Sequence, residues 1–160
     1  MVVEAGSVLK MRAANIDIGG DDSVTGRGAV LQIRGEPGAD SGVVITSTKQ
    51  DLVGGDTNGD GANSLPQTGD WGGILFRDHS DDVLSLINNT TIEFGGGPVP
   101  RSIGPSVDPI FLDSASPSIT NTTMAQSGVP VPTSAQFAIS ADINSLIDST
   151  VARPSQLGRS

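Results

Sequence analysis

Asp56, Asn58 and Asp60 stand at every second position of the segment GGDTNGDG, Gly54 to Gly61, which closes on a glycine. Alternating Asp and Asn side chains on a tight loop can bring several carboxylate and amide oxygens to one point, and calcium, a hard cation, takes about six to eight such oxygens. The run matches the first half of an EF-hand loop. The second half fails: Gln67 stands where a bidentate Glu would close the shell, and Pro66 beside it opposes a following helix. Further ligands would come from outside the run, and Asp51 and Asp70 at its two ends are the nearest candidates, with backbone carbonyls or water completing the shell. Asn58-Gly59 and Asp60-Gly61 also favour tight turns with no ion at all, so a solvated turn stands as the alternative to calcium. The role expected of the ion is structural: it would order the insertion 52–70, which has little apolar surface of its own.

A second cluster, RDHSDD, follows soon after and contains Arg77, Asp78, His79 and Asp81, with Asp82 at its end. His79 is the single histidine of the chain, and between carboxylates it could serve as an acid or base; paired Asp residues are also what glycoside hydrolysis uses. A polysaccharide lyase would set a basic residue beside calcium, and Arg77 is the candidate, although no second basic residue accompanies it. The plainer reading is an exposed polar corner. No nucleophile elbow, metal-binding His pair or phosphate-cradling loop is present. Trp71 is the single tryptophan and tyrosine is absent, so packing of the insertion against the rest of the chain is the expected role, ahead of sugar stacking.

The elements that must carry these residues are short. Twenty-one Gly and ten Pro, with many Ser, Thr, Asn and Asp, punctuate brief runs of Val, Ile, Leu and Phe; this suits many strands joined by turns. At 160 residues the chain is long enough for one domain, 1–160, with a continuous core. The net charge of −9, with nine scattered Lys and Arg, argues against nucleic acid. There is no cysteine and hence no disulfide framework, and no apolar run long enough for a signal peptide or a membrane span.

Internal repetition is the most informative feature. INNTTI (Ile87 to Ile92), ITNTTM (Ile119 to Met124) and LIDSTV (Leu146 to Val151) align without gaps. The alignment superposes Ile87, Ile119 and Leu146, then Asn89, Asn121 and Asp148, then Thr91, Thr123 and Thr150. GILF (Gly73 to Phe76), PIFLD (Pro109 to Asp113) and FAISAD (Phe137 to Asp142) form a second set. GAVLQIRG (Gly28 to Gly35) with GVVITST (Gly42 to Thr48), and SVLKMRAANIDIGG (Ser7 to Gly20), extend the pattern upstream. The expected fold is all-β, a right-handed parallel β-helix (solenoid) of about five to six rungs with a loop insertion. Like residues would then stack about 4.8 Å apart: an Asn/Asp ladder at a corner, a threonine row, and an aliphatic interior column. A β-sandwich is the competing architecture, but its strands would not need matching side chains at matching offsets. Asn88, Asn89 and Asn121 each begin an N-x-T sequon, and the solenoid reading makes Asn89 and Asn121 structural. Gly95 to Pro109 and Ser127 to Ser134 read as loops between rungs.

VVEAGSVLKM, GAVLQIRG, VVITSTKQD, GGDTNGDG, GDWGGILF and SASPSITNTT together resemble the right-handed, pectate-lyase-like β-helix segments of large bacterial surface and secreted proteins. In that group a strand ending in TS leads into a GDTNGDG insertion, and the chain returns through GDWGGI. The likeness spans about residues 2 to 150 and is most specific from Thr46 to Phe76. It implies an extracellular or cell-surface setting, but fold alone confers no activity. Neither end carries an amphipathic helix to cap an open solenoid edge, so the chain reads as an excised piece whose partners include neighbouring rungs or domains of a longer parent. The expectation is a non-catalytic, calcium-stabilised scaffold or adhesion segment. The alternatives are a carbohydrate-active enzyme (lyase or hydrolase) and a carbohydrate-binding module, with a polysaccharide or cell-surface ligand as the partner.

Overall fold

A computed structural model describes residues 1–19, 28–97 and 108–126, together with the strand backbones 139–141 and 149–152. Eleven strands and no helix are found among them: β1 (Val2–Glu4), β2 (Val8–Met11), β3 (Asn15–Ile18), β4 (Gln32–Arg34), β5 (Val43–Ser47), β6 (Gly73–Phe76), β7 (Leu86–Glu93), β8 (Ile110–Leu112), β9 (Ser118–Ala125), β10 (Ile139–Ala141) and β11 (Ser149–Ala152). Among the described residues no helix is long and apolar enough to cross a membrane. Every strand pairing is parallel. That excludes the sandwich for the described residues, because its sheets are antiparallel, and places the chain in the β-solenoid-like class.

Two sheets result. One holds seven strands in a curled arrangement, β1-β4-β7-β5-β2 with β9 and β11 added through β7; the other holds four, β10-β8-β6-β3. The curl comes from β7, whose first half pairs with β4 and whose second half pairs with β5. Asn89 makes the bend between the halves at φ 43°, and Asn121 does the same in β9 at φ 48°. Asn tolerates this left-handed conformation better than most residues with a side chain. The Asn89 carbonyl lies so close to Gly35 that a Cβ there would come within 2.1 Å of it, so only glycine fits.

Parallel pairing sets like side chains over one another in buried columns. Val3, Ile33, Ile87 and Ile119 form one. Leu9, Ile45, Ile92 and Met124 form another, and Ile74 over Ile110 and Phe76 over Leu112 form two more. The expected registers Ile87 to Ile119 and Thr91 to Thr123 are present. The corner also carries a polar ladder: Asn88 Oδ1 accepts from Thr120 Oγ1 at 2.9 Å and from Asn121 Nδ2 at 3.2 Å, while Asn89 Nδ2 donates to Gly35 O at 3.2 Å.

One expectation needs correction. β11 sets Ser149 opposite Ile119 and Ala152 opposite Thr123, with a register irregularity between Ser149 and Val151, so Thr150 does not continue the threonine row. Leu146 and Asp148 lie outside the described residues, as do 98–107 and 127–134 of the two expected loops. The threonines that face the interior are Thr90 and Thr122, each one position before a member of the Thr91–Thr123 row. The physical reason is the Asn corner: one left-handed residue breaks the two-residue alternation of a strand, so the inward sequence runs Ile87, Thr90, Ile92. Each buried hydroxyl is satisfied locally, Thr90 Oγ1 by Asn88 O and Thr122 Oγ1 by Thr120 O, both at 2.9 Å.

Candidate metal centre

The segment between β5 and β6 folds back over the outer face of the curled sheet. On β2, Leu9 and Met11 pack toward the core, so Val8 and Lys10 face outward, and a Cβ on Gly54 would lie 3.3 Å from Val8 Cγ1 and 3.4 Å from Lys10 Cε. The base of the insertion is tied on both sides. Ala13 N–H donates to Asp70 O at 2.9 Å and Gly72 N–H to Ala14 O at 2.8 Å, while Gly69 N–H donates to Phe94 O at 3.1 Å. Trp71, 1% exposed, anchors it: its Nε1 donates to Glu93 O at 2.8 Å, and a Cβ on Gly95 would meet its ring at 3.1 Å. Packing is therefore its role, as expected.

Within the insertion, one carboxylate oxygen from each of Asp51, Asp56 and Asp60 falls within 4.8 Å of the others. Oxygens that share a calcium ion lie about 2.3–2.6 Å from it, so about 5 Å is the widest separation two ligands can have. Asp56 shapes the loop: its Oδ1 accepts from Gly59 N–H at 2.7 Å and its Oδ2 from Gly61 N–H at 2.8 Å. The Gly61 bond, aided by those from Gly59 and Asp60 and by the charge of Lys10, outweighs desolvation and holds the Asp56 carboxyl below its ordinary value. Asn58 Nδ2 donates to Asp60 Oδ2 at 3.1 Å and to Ser64 Oγ at 3.0 Å, and Ser64 Oγ donates to Asp60 Oδ2 at 2.5 Å.

These bonds leave acceptors over. Asp51 Oδ1, Asn58 Oδ1 and Asp60 Oδ1 are all shielded from solvent without a hydrogen-bond partner, as is Thr48 Oγ1 just upstream. A buried polar atom without a partner costs about 1–3 kcal/mol, more if charged, and three gathered in one loop need a common explanation. All three are acceptors and none can be satisfied by another. The donors are all oxygen, which is the chemistry a hard cation takes. Asp51, Asp56, Asn58 and Asp60 would hold the ion, which would supply positive charge against the clustered carboxylates and cross-link the loop.

Asp70, expected as a ligand from the far end, is not among the converging carboxylates. Its Oδ2 accepts from Ser47 Oγ at 2.7 Å and from Gln67 N–H at 3.0 Å, and its Oδ1 pairs with Lys49 Nζ at 2.7 Å. Burial raises the Asp70 carboxyl, but the bonds from Lys49, Ser47 and Gln67 together bring it below its usual value. Asp70 therefore clasps the neck of the insertion. Two residues that sequence reasoning passed over bear on the loop. Ser64 had a signal, because counting Asp56 as loop position one makes it position nine, a recognised ligand position. Lys10 had none: its ammonium donates to Gln50 O at 2.6 Å and to Gly55 O, 40 and 45 residues away.

The RDHSDD residues do not converge on one another in this way. Arg77 Nε and Nη2 form a forked pair with Asp17 at 2.8 and 3.0 Å, tying β6 to β3. Asp78 Oδ1 lies 2.7 Å from His79 Nδ1. Asp81 Oδ1 accepts from Leu84 N–H at 2.9 Å, and Asp82 accepts from Ser116 N–H and Oγ at 2.8 and 3.0 Å. Fold and site thus define a parallel-stranded, all-β chain with an acidic oxygen cluster on a loop laid over its outer face. Comparison with protein-family models, with curated proteins and with solved structures finds no match in any of the three.

Proposed function

We propose that the chain is a non-catalytic, calcium-stabilised right-handed parallel β-helix segment of about five to six rungs, serving as a scaffold or adhesion element of a bacterial surface or secreted protein. The order in which strands are visited supports the helix: β1, β2 and β3 are followed by β4, β5 and β6 paired onto them in the same sequence. Parallel crossovers of this kind are right-handed in about 98% of cases. The observation that carries calcium is the convergence of carboxylates from Asp51, Asp56 and Asp60 in a loop where Asp51, Asn58 and Asp60 each keep a shielded, unpartnered oxygen. The extracellular setting rests on the resemblance of GGDTNGDG and its flanks to surface-protein β-helices, and it suits an exposed loop site, since extracellular calcium modules bind at about 10⁻⁴–10⁻³ M. An enzyme would instead need Arg77, Asp78, His79 and Asp81 free to meet a substrate, whereas Arg77 engages Asp17 and Asp81 caps its own turn.

Thermal unfolding in calcium and in EGTA tests the reading, on the parent and on Asp56→Ala and Asp60→Ala. At a hundredfold excess over Kd, calcium adds about 2.7 kcal/mol to the parent. Both variants lose the gain. An equal midpoint for the parent in the two buffers overturns the metal assignment, and glycan breakdown in a polysaccharide screen overturns the scaffold.

A further inference from the structure

We infer that Lys10 is a positioning residue for the cation loop: from the outer face of β2 its ammonium clasps the two peptide units that carry Asp51 and Asp56. The inference rests on the calcium reading above and adds to it a specific source of preorganisation. The carbonyl of Gln50 belongs to the peptide that leads into Asp51, and the carbonyl of Gly55 to the peptide that leads into Asp56; Lys10 Nζ donates to both. The segment between them reverses through Gly54 and Gly55, at φ 70° and 76°, so that the second carbonyl returns to the same ammonium. The Lys10 stem lies beneath Gly54, close enough that a Cβ there would approach Cε at 3.4 Å.

The charge is spent in an unusual way. An ammonium near three carboxylates would ordinarily pair with one and compete with a metal ion for it. Among the described residues no carboxylate forms an ion pair with Lys10; its bonds go to backbone oxygens. The carboxylates are therefore left for the ion, and the loop that carries them is fixed to a strand of the sheet beforehand. Preorganisation of this kind lowers the ordering cost of binding.

Two effects of opposite sign follow from Lys10, which makes the inference testable. As a bare positive charge it repels a divalent ion, so its removal would tighten binding. As a clasp it holds the ligands in place, so its removal weakens binding. The experiment is calcium titration by calorimetry on the parent, Lys10→Met and Lys10→Arg, with hydrogen exchange of residues 51–61 measured in EGTA. Lys10→Met keeps an apolar stem against Gly54. It is expected to bind calcium about tenfold more weakly, the scale of one charged hydrogen bond net of solvent, and to exchange faster over 51–61 without metal. Lys10→Arg, which keeps donors and charge, recovers most of both. Unchanged exchange in Lys10→Met, or tighter calcium binding, overturns the clasp. Should the parent bind no calcium, the metal reading falls by itself, and the exchange measurement still decides whether Lys10 holds the loop.

Discussion

The insertion and the RDHSDD corner are both acidic and both sit on connections, yet they satisfy their oxygens differently. At the corner, Asp82 accepts two bonds from Ser116, Arg77 forks onto Asp17, and Asp81 caps the turn that ends at Leu84. In the insertion, Asp51, Asn58 and Asp60 each keep a shielded oxygen with no donor. A cluster whose partners come from the chain is a staple between neighbouring strands. A cluster whose acceptors have none is where the proposal above sets an ion. The count of charges does not distinguish the two; the count of unsatisfied acceptors does.

The contrast can be broken in several ways, in descending order of effect. Trp71→Ala removes the side chain on which the base of the insertion rests and leaves a buried cavity; a loss of about 3–5 kcal/mol in denaturant unfolding is expected. If the loss is below about 1 kcal/mol, the insertion does not depend on that anchor. Asp82→Ala should cost about 1–3 kcal/mol by leaving the Ser116 donors unpaired, and by the same amount in calcium and in EGTA. A calcium-dependent difference would mean that the corner is a second ion site and would erase the distinction drawn above.

Acid separates the neck clasp from the rest. The Asp70 carboxyl is held below its ordinary value in the folded chain, so its stabilisation is full above the unfolded value of about 3.9 and is lost as pH falls through the folded value. The difference in midpoint between the parent and Asp70→Asn, measured in EGTA, should be constant from about pH 8 to pH 5 and shrink below about pH 4. A gap that persists undiminished at pH 2 would show that the Asn substitution acts through shape and not through charge. The smallest effect is expected at His79, whose ring bonds, among the described residues, to the neighbouring Asp78: His79→Ala should change stability by less than about 0.5 kcal/mol. A larger change would reveal a role for the ring that its contacts do not account for.

Much of the fold was legible because a parallel stack repeats its chemistry. INNTTI and ITNTTM align in the sequence as they pair in space, since residues directly over one another share one environment. LIDSTV misled because text alignment assumes an unbroken register, and the irregularity in β11 shifts it by a residue. The loop was half legible. Alternation of Asp56, Asn58 and Asp60 with glycine announces a turn that gathers oxygens, and Asp51 is near enough in the chain to join it. Asp70 was equally plausible by position, but at the neck where the insertion leaves β5 and returns toward β6 it lies beside Ser47 and Lys49.

By itself, then, the order of residues determined the all-β class, the stacking of like side chains and the turn around Asp56, all of which depend on local geometry and short-range repetition. That Asp70 is claimed by other donors, and the reach of Lys10 from β2 to the peptides of Gln50 and Gly55, were decided by tertiary structure alone. Those contacts join residues 21 to 45 positions apart, and sequence spacing carries no information about distance once the chain has wound back on itself.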